Sequence, residues 1–359
     1  MSEKIRVGVL GGTGMVGQRF ITQLENHPWF EVVSIAASER SAGKAFTEAV
    51  EGRWKLDLPI PEKVKNITVH NVTDISKIAD EVQMVFCAVD MKKDEIKALE
   101  EMYAKAEIPV VSNNSAHRWT DDVPMIIPEV NPEHTAVIEK QRKRLGTRKG
   151  FISVKSNCSL QSYVPPLHAL MKYQPSKVLA STYQAISGAG KVFSDWPEII
   201  DNVIPYIGGE EEKSENEPLK IWGKVEGDKI VRSAGPLISA QCYRVPVLDG
   251  HMAAVFVSFE NKPSRDEILE CWKSFKGKPQ ELKLPSAPAQ FLTYFEEENR
   301  PQSKLDRNVE NGMGIALGRL REDSLFDYKF TCLSHNTIRG AAGGAILMAE
   351  LLKAEGYLD

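Results

Sequence analysis

The 359-residue sequence has few cysteines, no surplus of basic residues and no long apolar run. Its five cysteines are an odd number without a C-x-x-C pair, which argues against a disulfide framework and a structural zinc site. The 45 Lys and Arg against 49 Asp and Glu leave a net charge of −4. A nucleic-acid surface is therefore not expected, because phosphate contacts need clustered cations.

Targeting and membrane signals are also missing. The N-terminus leads directly into a strand pattern, and no apolar run reaches the roughly 18 residues that span a bilayer. The length suffices for two domains, and 42% hydrophobic with 26% charged residues is ordinary for a globular protein. We therefore expect a cytoplasmic protein without a metal.

A glycine-rich turn follows the first predicted strand, residues 4–10. Glycine recurs at 11, 14 and 17, a helix with Val16, Phe20 and Leu24 on one stripe follows, and a second strand is predicted at 31–36. Such glycines let a pyrophosphate approach the N-terminus of the helix, although a tight turn without a ligand is the alternative. The G-x-x-G-x-x-G spacing predicts a dinucleotide site formed by Gly11, Thr13, Gly14, Met15, Val16 and Gly17.

The residues after the second strand indicate which dinucleotide binds. An acidic residue there is typical of NAD sites, and an arginine is typical of NADP sites, where it meets the 2′-phosphate. Ser38, Arg40 and Ser41 suit a phosphate, whereas Glu39 favours NAD unless it points to water. We predict NADP, with NAD as the alternative.

Strands and helices continue to alternate after this unit. An apolar strand at 82–89, a charged helix at 93–106 and a strand at 109–112 predict a doubly wound parallel sheet. The polar loop 112–119 then lies at the sheet edge where such folds bind ligands. Arg118 is a candidate anion clamp there, or a surface loop arginine, and His117 is expected to be structural.

Cys158 lies in a turn between a strand (residues 151–154) and a predicted helix. A thiol at a helix N-terminus is close to unpaired N–H groups and the positive end of the dipole, which favour the thiolate. We therefore expect a lowered pKa and a nucleophile, the alternative being a small buried hydrophobic side chain. Pro165 and Pro166 should lie early in the helix or kink it.

Beyond residue 172, longer strands with looser connections predict a second, α+β domain. A strand at 178–186 leads into a glycine-rich turn, and an acidic cluster at 208–217 is typical of an exposed helix start. Strands at 241–248 and 251–259 flank Asp249-Gly250, so we expect a hairpin that brings Arg244 and His251 close to its turn. Two more strands precede segment 335–344, whose glycines predict a C-terminal helix packed on the first domain.

These features together suggest oxidation of an aldehyde through a thioester. The Cys158 thiolate would add to the aldehyde, hydride would pass to the nicotinamide, and a second nucleophile would release the acyl group. A histidine has a suitable pKa to accept the protons of the thiol and of the hemithioacetal. Phosphate as the acceptor would give an acyl phosphate and would require cations that hold it.

Eight segments in order resemble the aspartate-semialdehyde dehydrogenase family, in its archaeal and fungal branch. They are GGTGMVGQ, ASERSAGK, SNNSAHR, SNCS, QAISGAG, EEEK, RVPVLDGH and HNTIRGAAGG, and they span nearly the whole chain. The resemblance implies an α/β fold with a Rossmann-type NADP-binding domain of residues 1–156 and 336–359. It also implies an α+β catalytic and dimerisation domain of residues 157–335, with the C-terminal helix returning to the first domain.

The resemblance implies a catalytic role for four residues. Cys158 would be the acylated nucleophile, and His251 would be the acid and base. Gln184 would orient the thioester or a water molecule, and Asn157 would help to position the substrate.

Binding roles follow from the same resemblance. Arg244 would bind the substrate carboxylate, and Glu210 would bind its ammonium group, with Glu211 and Glu212 as neighbouring alternatives. The residues expected to hold phosphate are Arg118, Lys213 and Asn113. The residues expected around NADP, besides the glycine-rich turn, are Ser38, Arg40 and Ser41 at the 2′-phosphate and Ser187, Gly188 and Asn336 at the nicotinamide.

The family acts as a dimer or tetramer through the second domain and reduces aspartyl phosphate to aspartate semialdehyde. This reaction lies on the route to lysine, threonine and methionine. One departure is Leu160, where the family usually has threonine, so the packing of the first helical turn should differ.

Two alternatives stay open. A malonyl-coenzyme A reductase shares the cysteine, the histidine and NADP, but its substrate has no ammonium group for Glu210. A non-catalytic NADP-binding protein on the same scaffold would be expected to lack the nucleophile or the base, and both Cys158 and His251 are present.

Overall fold

Two β-sheets organise the computed structural model, which describes residues 3–358. The first sheet contains β1 (Ile5–Leu10), β2 (Phe30–Ala37), β3 (His70–Asn71), β4 (Met84–Cys87), β5 (Val110–Ser112), β6 (Met125–Ile126) and β7 (Ile152–Lys155). The other strands are β8 (Pro175–Gln184), β9 (Lys224–Glu226), β10 (Lys229–Val231), β11 (Leu237–Arg244), β12 (His251–Phe259), β13 (Leu292–Phe295), β14 (Ile315–Glu322) and β15 (Tyr328–Ser334).

Eleven α-helices are found in the described part of the chain. They are α1 (Met15–Leu24), α2 (Phe46–Ala49), α3 (Ile75–Glu81), α4 (Lys93–Lys105), α5 (Ile138–Leu145), α6 (Leu160–His168), α7 (Glu210–Ile221), α8 (Arg265–Ser274), α9 (Lys278–Glu281), α10 (Ser303–Asp306) and α11 (Gly343–Ala354). Within residues 3–358, no helix combines the length and the apolar character needed to cross a bilayer.

The first sheet is parallel and doubly wound, as predicted. Its strand order is β3-β2-β1-β4-β5-β7-β6, and every pairing is parallel. The turns that follow β1, β2, β5 and β7 therefore emerge at one edge, because parallel strands end on the same side. The C-terminal helix α11 packs against β5 and β7, which confirms the predicted return to this sheet.

The second sheet is mixed, with strand order β11-β8-β12-β15-β14-β13. The predicted hairpin between the strands around Asp249-Gly250 is wrong, because β8 lies between β11 and β12. The backbone of residues 245–248 instead pairs with residues 184–187, and Ile186 N–H donates to the Val247 carbonyl at 2.8 Å. This connection crosses the end of β8. The Asp-Gly dipeptide is therefore part of a crossover connection between β11 and β12, and not of a hairpin turn.

Helix α6 begins at Leu160, two residues after Cys158. Pro165 and Pro166 consequently lie in its second half, where each removes one backbone donor from the helical ladder. Leu160 itself is fully buried in the larger apolar core. Leu160, the residue that departs from the family pattern, thus contributes to core packing. The turn that contains Cys158 still lies directly after β7.

Candidate active site

Cys158 lies in the turn between β7 and α6, as predicted, and its thiol is partly buried. The turn is held by Asn157, whose Oδ1 accepts hydrogen bonds from Ser159 N–H at 2.9 Å and from the Ser159 hydroxyl at 2.7 Å. Gly340 lies directly behind the cysteine. A Cβ atom added there would be 2.9 Å from Cys158 Cβ, closer than real side chains approach.

The thiol is not activated in the way that its helix-terminal position predicted. Burial raises the pKa of Cys158, and the negative charge of Glu210 adds to this, whereas Lys155, Arg118 and Arg244 lower it. The net direction of the pKa shift is upward, so the predicted lowering is wrong. Desolvation and one carboxylate together outweigh the nearby cations here.

Glu210 is at the centre of a hydrogen-bonded cluster beside the thiol. Its carboxylate accepts from Asn157 Nδ2 at 2.9 and 3.0 Å, from Gln184 Nε2 at 3.2 Å and from Lys213 Nζ at 2.8 Å. Burial alone would raise its pKa, but Lys213 and these hydrogen bonds hold the pKa of Glu210 below its usual value. The structure therefore brings three predicted residues, Asn157, Gln184 and Lys213, together around the ionised carboxylate of a fourth, Glu210.

The carboxylates of Glu211 and Glu212, the two alternatives to Glu210, do not join this cluster. The Glu211 carboxylate accepts the backbone N–H of Cys242 at 3.2 Å, and Glu212 is exposed. The expectation of an exposed helix start is wrong for Glu210, which is 8% exposed.

Arg244 and His251 meet beside Gly188. A Cβ atom at Gly188 would lie 2.9 Å from His251 Nε2 and 3.0 Å from Arg244 Nη1, so a larger residue there would crowd both side chains. Arg244 Nη1 donates to the Ala185 carbonyl at 2.7 Å. Among residues 3–358 no carboxylate forms an ion pair with Arg244, which leaves a buried cation available to an anionic ligand.

His251 is held in one tautomer. The backbone N–H of Ala185 donates to its Nδ1 at 3.0 Å, so the hydrogen of the neutral ring is on Nε2. Burial, together with the positive charges of Arg244 and His335, lowers the pKa of His251 well below its ordinary value. Its Nε2 is buried and has no hydrogen-bond partner among the described residues, and it therefore offers a donor to a ligand.

Arg118 is buried and already paired. Its Nη1 donates to Glu217 at 2.9 Å, its Nε donates to the Lys155 carbonyl at 3.0 Å, and its Nη2 reaches the Asn113 carbonyl at 3.5 Å. Sequence reasoning missed Glu217, which also accepts the backbone N–H of Asn157 at 2.7 Å. The available signal was its spacing, since positions seven apart share one face of a helix and Glu210 begins α7.

Two more buried ionisable groups beneath the site were missed. Arg339 is fully buried and forms a two-pronged ion pair with Glu129, and it also donates to Gln161 at 3.0 Å. Lys155, at the end of β7, is 1% exposed. A lysine on a strand whose other residues are all buried was the signal that could have identified it.

The glycine-rich turn shows two uses of glycine. Gly11 has a φ of +83°, and a Cβ at Gly11 or Gly17 would lie within 2.3 Å of a backbone oxygen. At Gly14 the nearest atom would be 3.5 Å away, so the protein itself does not require glycine there. A cavity of about 160 Å³ opens beside this turn and is lined by Gly11, Thr13, Gly14 and Ser38.

The remaining predicted cofactor residues have different surroundings. Ser38 and Arg40 are exposed just after β2, together with Glu39, whereas Ser41 is buried and its hydroxyl accepts from Arg53 at 3.2 Å. Val16 packs against the apolar core. Arg53 was not predicted and adds a cation to this edge.

A larger cavity of about 570 Å³ separates α1 from the loops of the second sheet. Met15 and Ser187 both line it. Asn336 Nδ2 donates to the Ser187 hydroxyl at 2.8 Å, and Asn336 Oδ1 accepts the Gly250 N–H at 2.8 Å. These contacts join the 187–188 turn to the C-terminal segment close to His251.

Comparisons with known proteins agree with this geometry. Residues 6–138 match the family described as semialdehyde dehydrogenase, NAD binding domain, and residues 164–339 match semialdehyde dehydrogenase, dimerisation domain. The aspartate-semialdehyde dehydrogenase of Methanothermobacter thermautotrophicus is 44% identical over 351 residues, covering 97% of this chain and 99% of that protein. The Saccharomyces cerevisiae enzyme of the same name is 43% identical, with full coverage of both chains.

Solved structures are similar as well. The crystal structure of aspartate semialdehyde dehydrogenase with NADP from Candida albicans superposes with a TM-score of 0.88 at 39% identity, covering 99% of this chain and all of that one. The Vibrio cholerae aspartate semialdehyde dehydrogenase II has a TM-score of 0.76 at 22% identity and covers 99% of this chain. The second similarity supports the fold alone.

Proposed function

The chain belongs to the aspartate-semialdehyde dehydrogenase family, and from that premise we propose how it performs the reaction. We assign the reductive dephosphorylation of aspartyl phosphate to aspartate semialdehyde, with NADPH as the hydride donor and Cys158 as the acylated group. The proposal includes the place of this reaction on the route to lysine, threonine and methionine, in the cytoplasm.

The observation that carries the proposal is the pair of opposite charges, from Glu210 and Arg244, that both act on Cys158. Glu210 offers an ionised carboxylate, and Arg244 offers a buried guanidinium without an anion of its own. An amino acid carries an ammonium and a carboxylate, which match these two groups and can fix the position of the reacting carbon. Malonyl-coenzyme A has no ammonium, so Glu210 favours the amino acid substrate.

The reaction would proceed through a thioester on Cys158. The thiolate would attack the acyl carbon of aspartyl phosphate, and phosphate would leave. A nicotinamide cofactor held at the turn between β1 and α1 would supply the hydride that reduces the thioester. The oxyanion formed at each step accepts the Nε2–H of His251, because that atom is the free donor of the site. Gln184 and Asn157 hold Glu210 in place while the substrate is bound.

Phosphate would be held by cations of the same site. Arg118 and Lys213 are the candidate cations, and Asn113 is beside Arg118. Each of the two cations already has a carboxylate partner, Glu217 or Glu210. Binding of the substrate ammonium to Glu210 would therefore compete with Lys213 and would make that lysine available to phosphate.

NADP fits the sheet edge at the start of α1. Gly14 leaves space for a pyrophosphate at the N-terminus of the helix, and the cavity beside it reaches Ser38. Ser38 and Arg40 are exposed just after β2, which supports a contact with the 2′-phosphate, and Glu39 is exposed and can point to water. The relative from Candida albicans was crystallised with NADP, which supports the same choice here.

A homo-oligomer is proposed through the open face of the second sheet. Leu179, Tyr183 and Leu237 are 37%, 37% and 72% exposed on this face, and Tyr183 stacks on Tyr243 at 5.8 Å between ring centroids. Large apolar side chains in one patch are typical of an interface. The match to a dimerisation domain supports this surface.

The activity can be tested in the oxidative direction. Purified protein with aspartate semialdehyde, NADP⁺ and phosphate should form NADPH, and Cys158→Ala should abolish this. A rate that does not depend on phosphate, or a clear preference for malonyl-coenzyme A in reverse, would contradict the assignment.

Arg244→Lys tests the carboxylate contact. A lysine retains the charge but loses the forked guanidinium, which should cost about 1.5–3 kcal/mol of transition-state binding. The measurement is kcat/KM for aspartate semialdehyde, with NADP⁺ affinity as the control. An unchanged kcat/KM would remove Arg244 from this role.

A further inference from the structure

Glu217 is a buried carboxylate on α7 to which the proposed reaction assigns no step. Only 1% of its surface is exposed, and its two oxygens have different partners. Oε1 accepts a hydrogen bond from Arg118 Nη1 at 2.9 Å, and Oε2 accepts the backbone N–H of Asn157 at 2.7 Å. Asn157 immediately precedes Cys158. One side chain therefore joins a candidate phosphate cation to the turn that carries the thiol.

The guanidinium of Arg118 is fixed at two of its three nitrogens. Nη1 is bound to Glu217, and Nε donates to the Lys155 carbonyl oxygen at 3.0 Å. Among residues 3–358, Nη2 has only a long contact of 3.5 Å, to the Asn113 carbonyl oxygen. Because a guanidinium is planar, holding two of its nitrogens sets the direction of the third. Nη2 is therefore the edge of Arg118 that is available to an anion.

Arg118 also acts on the reacting thiol. Burial raises the pKa of Cys158, and the positive charge of Arg118 is among those that lower it. Because the interaction between two charges weakens with distance, this effect indicates that Arg118 lies near the thiol. Arg244, the other arginine that lowers this pKa, is assigned to the substrate carboxylate. Arg118 is thus the arginine of the site that remains for phosphate.

Helix α7 is itself tied to both segments that Glu217 joins. Pro218 has no N–H, so the Ser214 carbonyl loses its helical donor, and the Tyr163 hydroxyl of α6 donates to it at 2.9 Å. One turn after Glu217, the Lys220 ammonium donates to three carbonyl oxygens of the loop after β5, those of Arg118, Thr120 and Val123. A carboxylate on this helix can therefore hold the loop and the Cys158 turn in a fixed relation.

We propose that Glu217 is a positioning residue for phosphate, which holds the Arg118 guanidinium at a fixed place beside the Cys158 turn and directs Nη2 toward the phosphate. Phosphate then meets a guanidinium that is already ordered, which reduces the entropic cost of binding. The inference rests on the proposed function, which assigns phosphate to Arg118.

Both oxygens of the Glu217 carboxylate are needed for this role, because each accepts one N–H. A glutamine has one acceptor oxygen and one N–H₂ group. If its oxygen accepts from Arg118, its N–H₂ faces the Asn157 N–H, and if it is turned around, its N–H₂ faces the guanidinium. Glu217→Gln therefore preserves the size of the side chain and must lose one of the two contacts.

The test is a double-mutant cycle of Glu217→Gln and Arg118→Lys, read as KM for phosphate with aspartate semialdehyde and NADP⁺ saturating. Glu217→Gln alone should raise this KM about tenfold, the usual cost of one hydrogen bond between charged groups. In the Arg118→Lys background the same change should alter KM by less than about twofold, because an ammonium group is a point charge that needs no orientation. Glu215→Gln is the matched control and should retain the wild-type KM, since the Glu215 carboxylate, also on α7, accepts the Ala240 N–H at 3.0 Å.

KM for aspartate semialdehyde and NADP⁺ affinity should keep their wild-type values in Glu217→Gln. If all three constants rise together, Glu217 has a structural role only and the inference is overturned. If Glu217→Gln does not fold, Glu217→Asp takes its place, because it keeps the charge and withdraws the carboxylate by one methylene group.

Two further results would overturn the inference. A KM for phosphate that is unchanged or lower in Glu217→Gln would do so, a lower value meaning that Glu217 only neutralises Arg118. Equal increases of KM in both backgrounds would show that Glu217 does not act through Arg118. In these cases a phosphate-dependent wild type leaves the proposed function intact, whereas a wild type that does not respond to phosphate would contradict the proposed function and the inference with it.

Discussion

Two glycine-rich segments begin neighbouring helices on the first sheet, residues 11–17 at α1 and residues 340–344 at α11. The first ends in an open cavity, and its Gly14 faces space that the protein does not fill. The second is closed: Gly340 lies against Cys158 and Gly344 against Lys155. The glycines of the first segment thus leave space for a ligand, whereas those of the second leave space for side chains of the protein itself.

This difference shows that a glycine run does not specify a function by itself. The two segments differ in which atoms lie next to the position that a Cβ would take. Space for a ligand is left open by the protein's own atoms beside Gly14, whereas the space beside Gly340 and Gly344 is filled by side chains. Substitution by alanine should therefore affect cofactor binding in the first segment and chemistry in the second.

The largest effect is expected for Gly340→Ala. The added methyl group must displace Cys158, whose Cβ would be 2.9 Å away. A misplacement of about 1 Å at a reacting group costs on the order of 100-fold in rate. We expect kcat/KM for aspartate semialdehyde to fall by about that factor, while NADP⁺ affinity, measured by fluorescence titration, stays unchanged. A variant with wild-type kcat/KM would show that the C-terminal segment does not set the position of the thiol.

Gly17→Ala should be the next largest, and it probes the part of the first segment that is closed. Its Cβ would lie 2.2 Å from the Gly11 carbonyl oxygen and 2.6 Å from Gly12 Cα, and backbone atoms cannot rotate away. Overpacking of this kind costs about 1–3 kcal/mol. We expect a lower thermal unfolding midpoint together with weaker NADP⁺ binding. An unchanged midpoint would mean that the turn can widen without cost.

Gly14→Ala should have a smaller and more selective effect. The nearest atom to the new methyl group is 3.5 Å away and φ is −81°, so we expect the thermal midpoint to stay close to that of the wild type. The methyl group would occupy the ligand side, and NADP⁺ affinity should fall about tenfold, equivalent to about 1.4 kcal/mol. Equal affinity for the two proteins would place the pyrophosphate elsewhere. Loss of stability would show that Gly14 is also a packing glycine.

The same contrast explains what the sequence could and could not predict. The parallel sheet, the glycine-rich turn between β1 and α1 and the Cys158 turn follow from local patterns of apolar residues and glycines, and the structure confirms them. The hairpin at Asp249-Gly250 was wrong because pairing depends on which strand covers the connection, and β8 does so here. The Asp-Gly dipeptide indicates a turn, but it does not indicate whether a third strand lies between the two strands that it connects.

The site shows the same limit at the level of side chains. Glu210 and Arg244 could be named as candidates because they stand in segments that resemble the family. Glu217 and Lys155 were missed because their importance depends on tertiary partners. The pKa of the thiol was predicted in the wrong direction for the same reason, since burial and Glu210 act through space and not through the adjacent helix.

Glu210→Gln tests whether charge, as well as packing, sets the reactivity of Cys158 beside the closed segment. The change in the alkylation rate of Cys158 should be the smallest of these effects. Glu210 raises the pKa of Cys158, so removing its charge should lower that pKa. The rate at which iodoacetamide alkylates Cys158 in the free enzyme, measured against pH, would then rise at lower pH. Alkylation at pH 7.5 would become faster even though kcat/KM falls. Glu211→Gln is the matched control, because its carboxylate binds the Cys242 N–H. A profile that stays in place would leave burial as the dominant cause of the raised pKa, and a shift to higher pH would contradict the sign argued here.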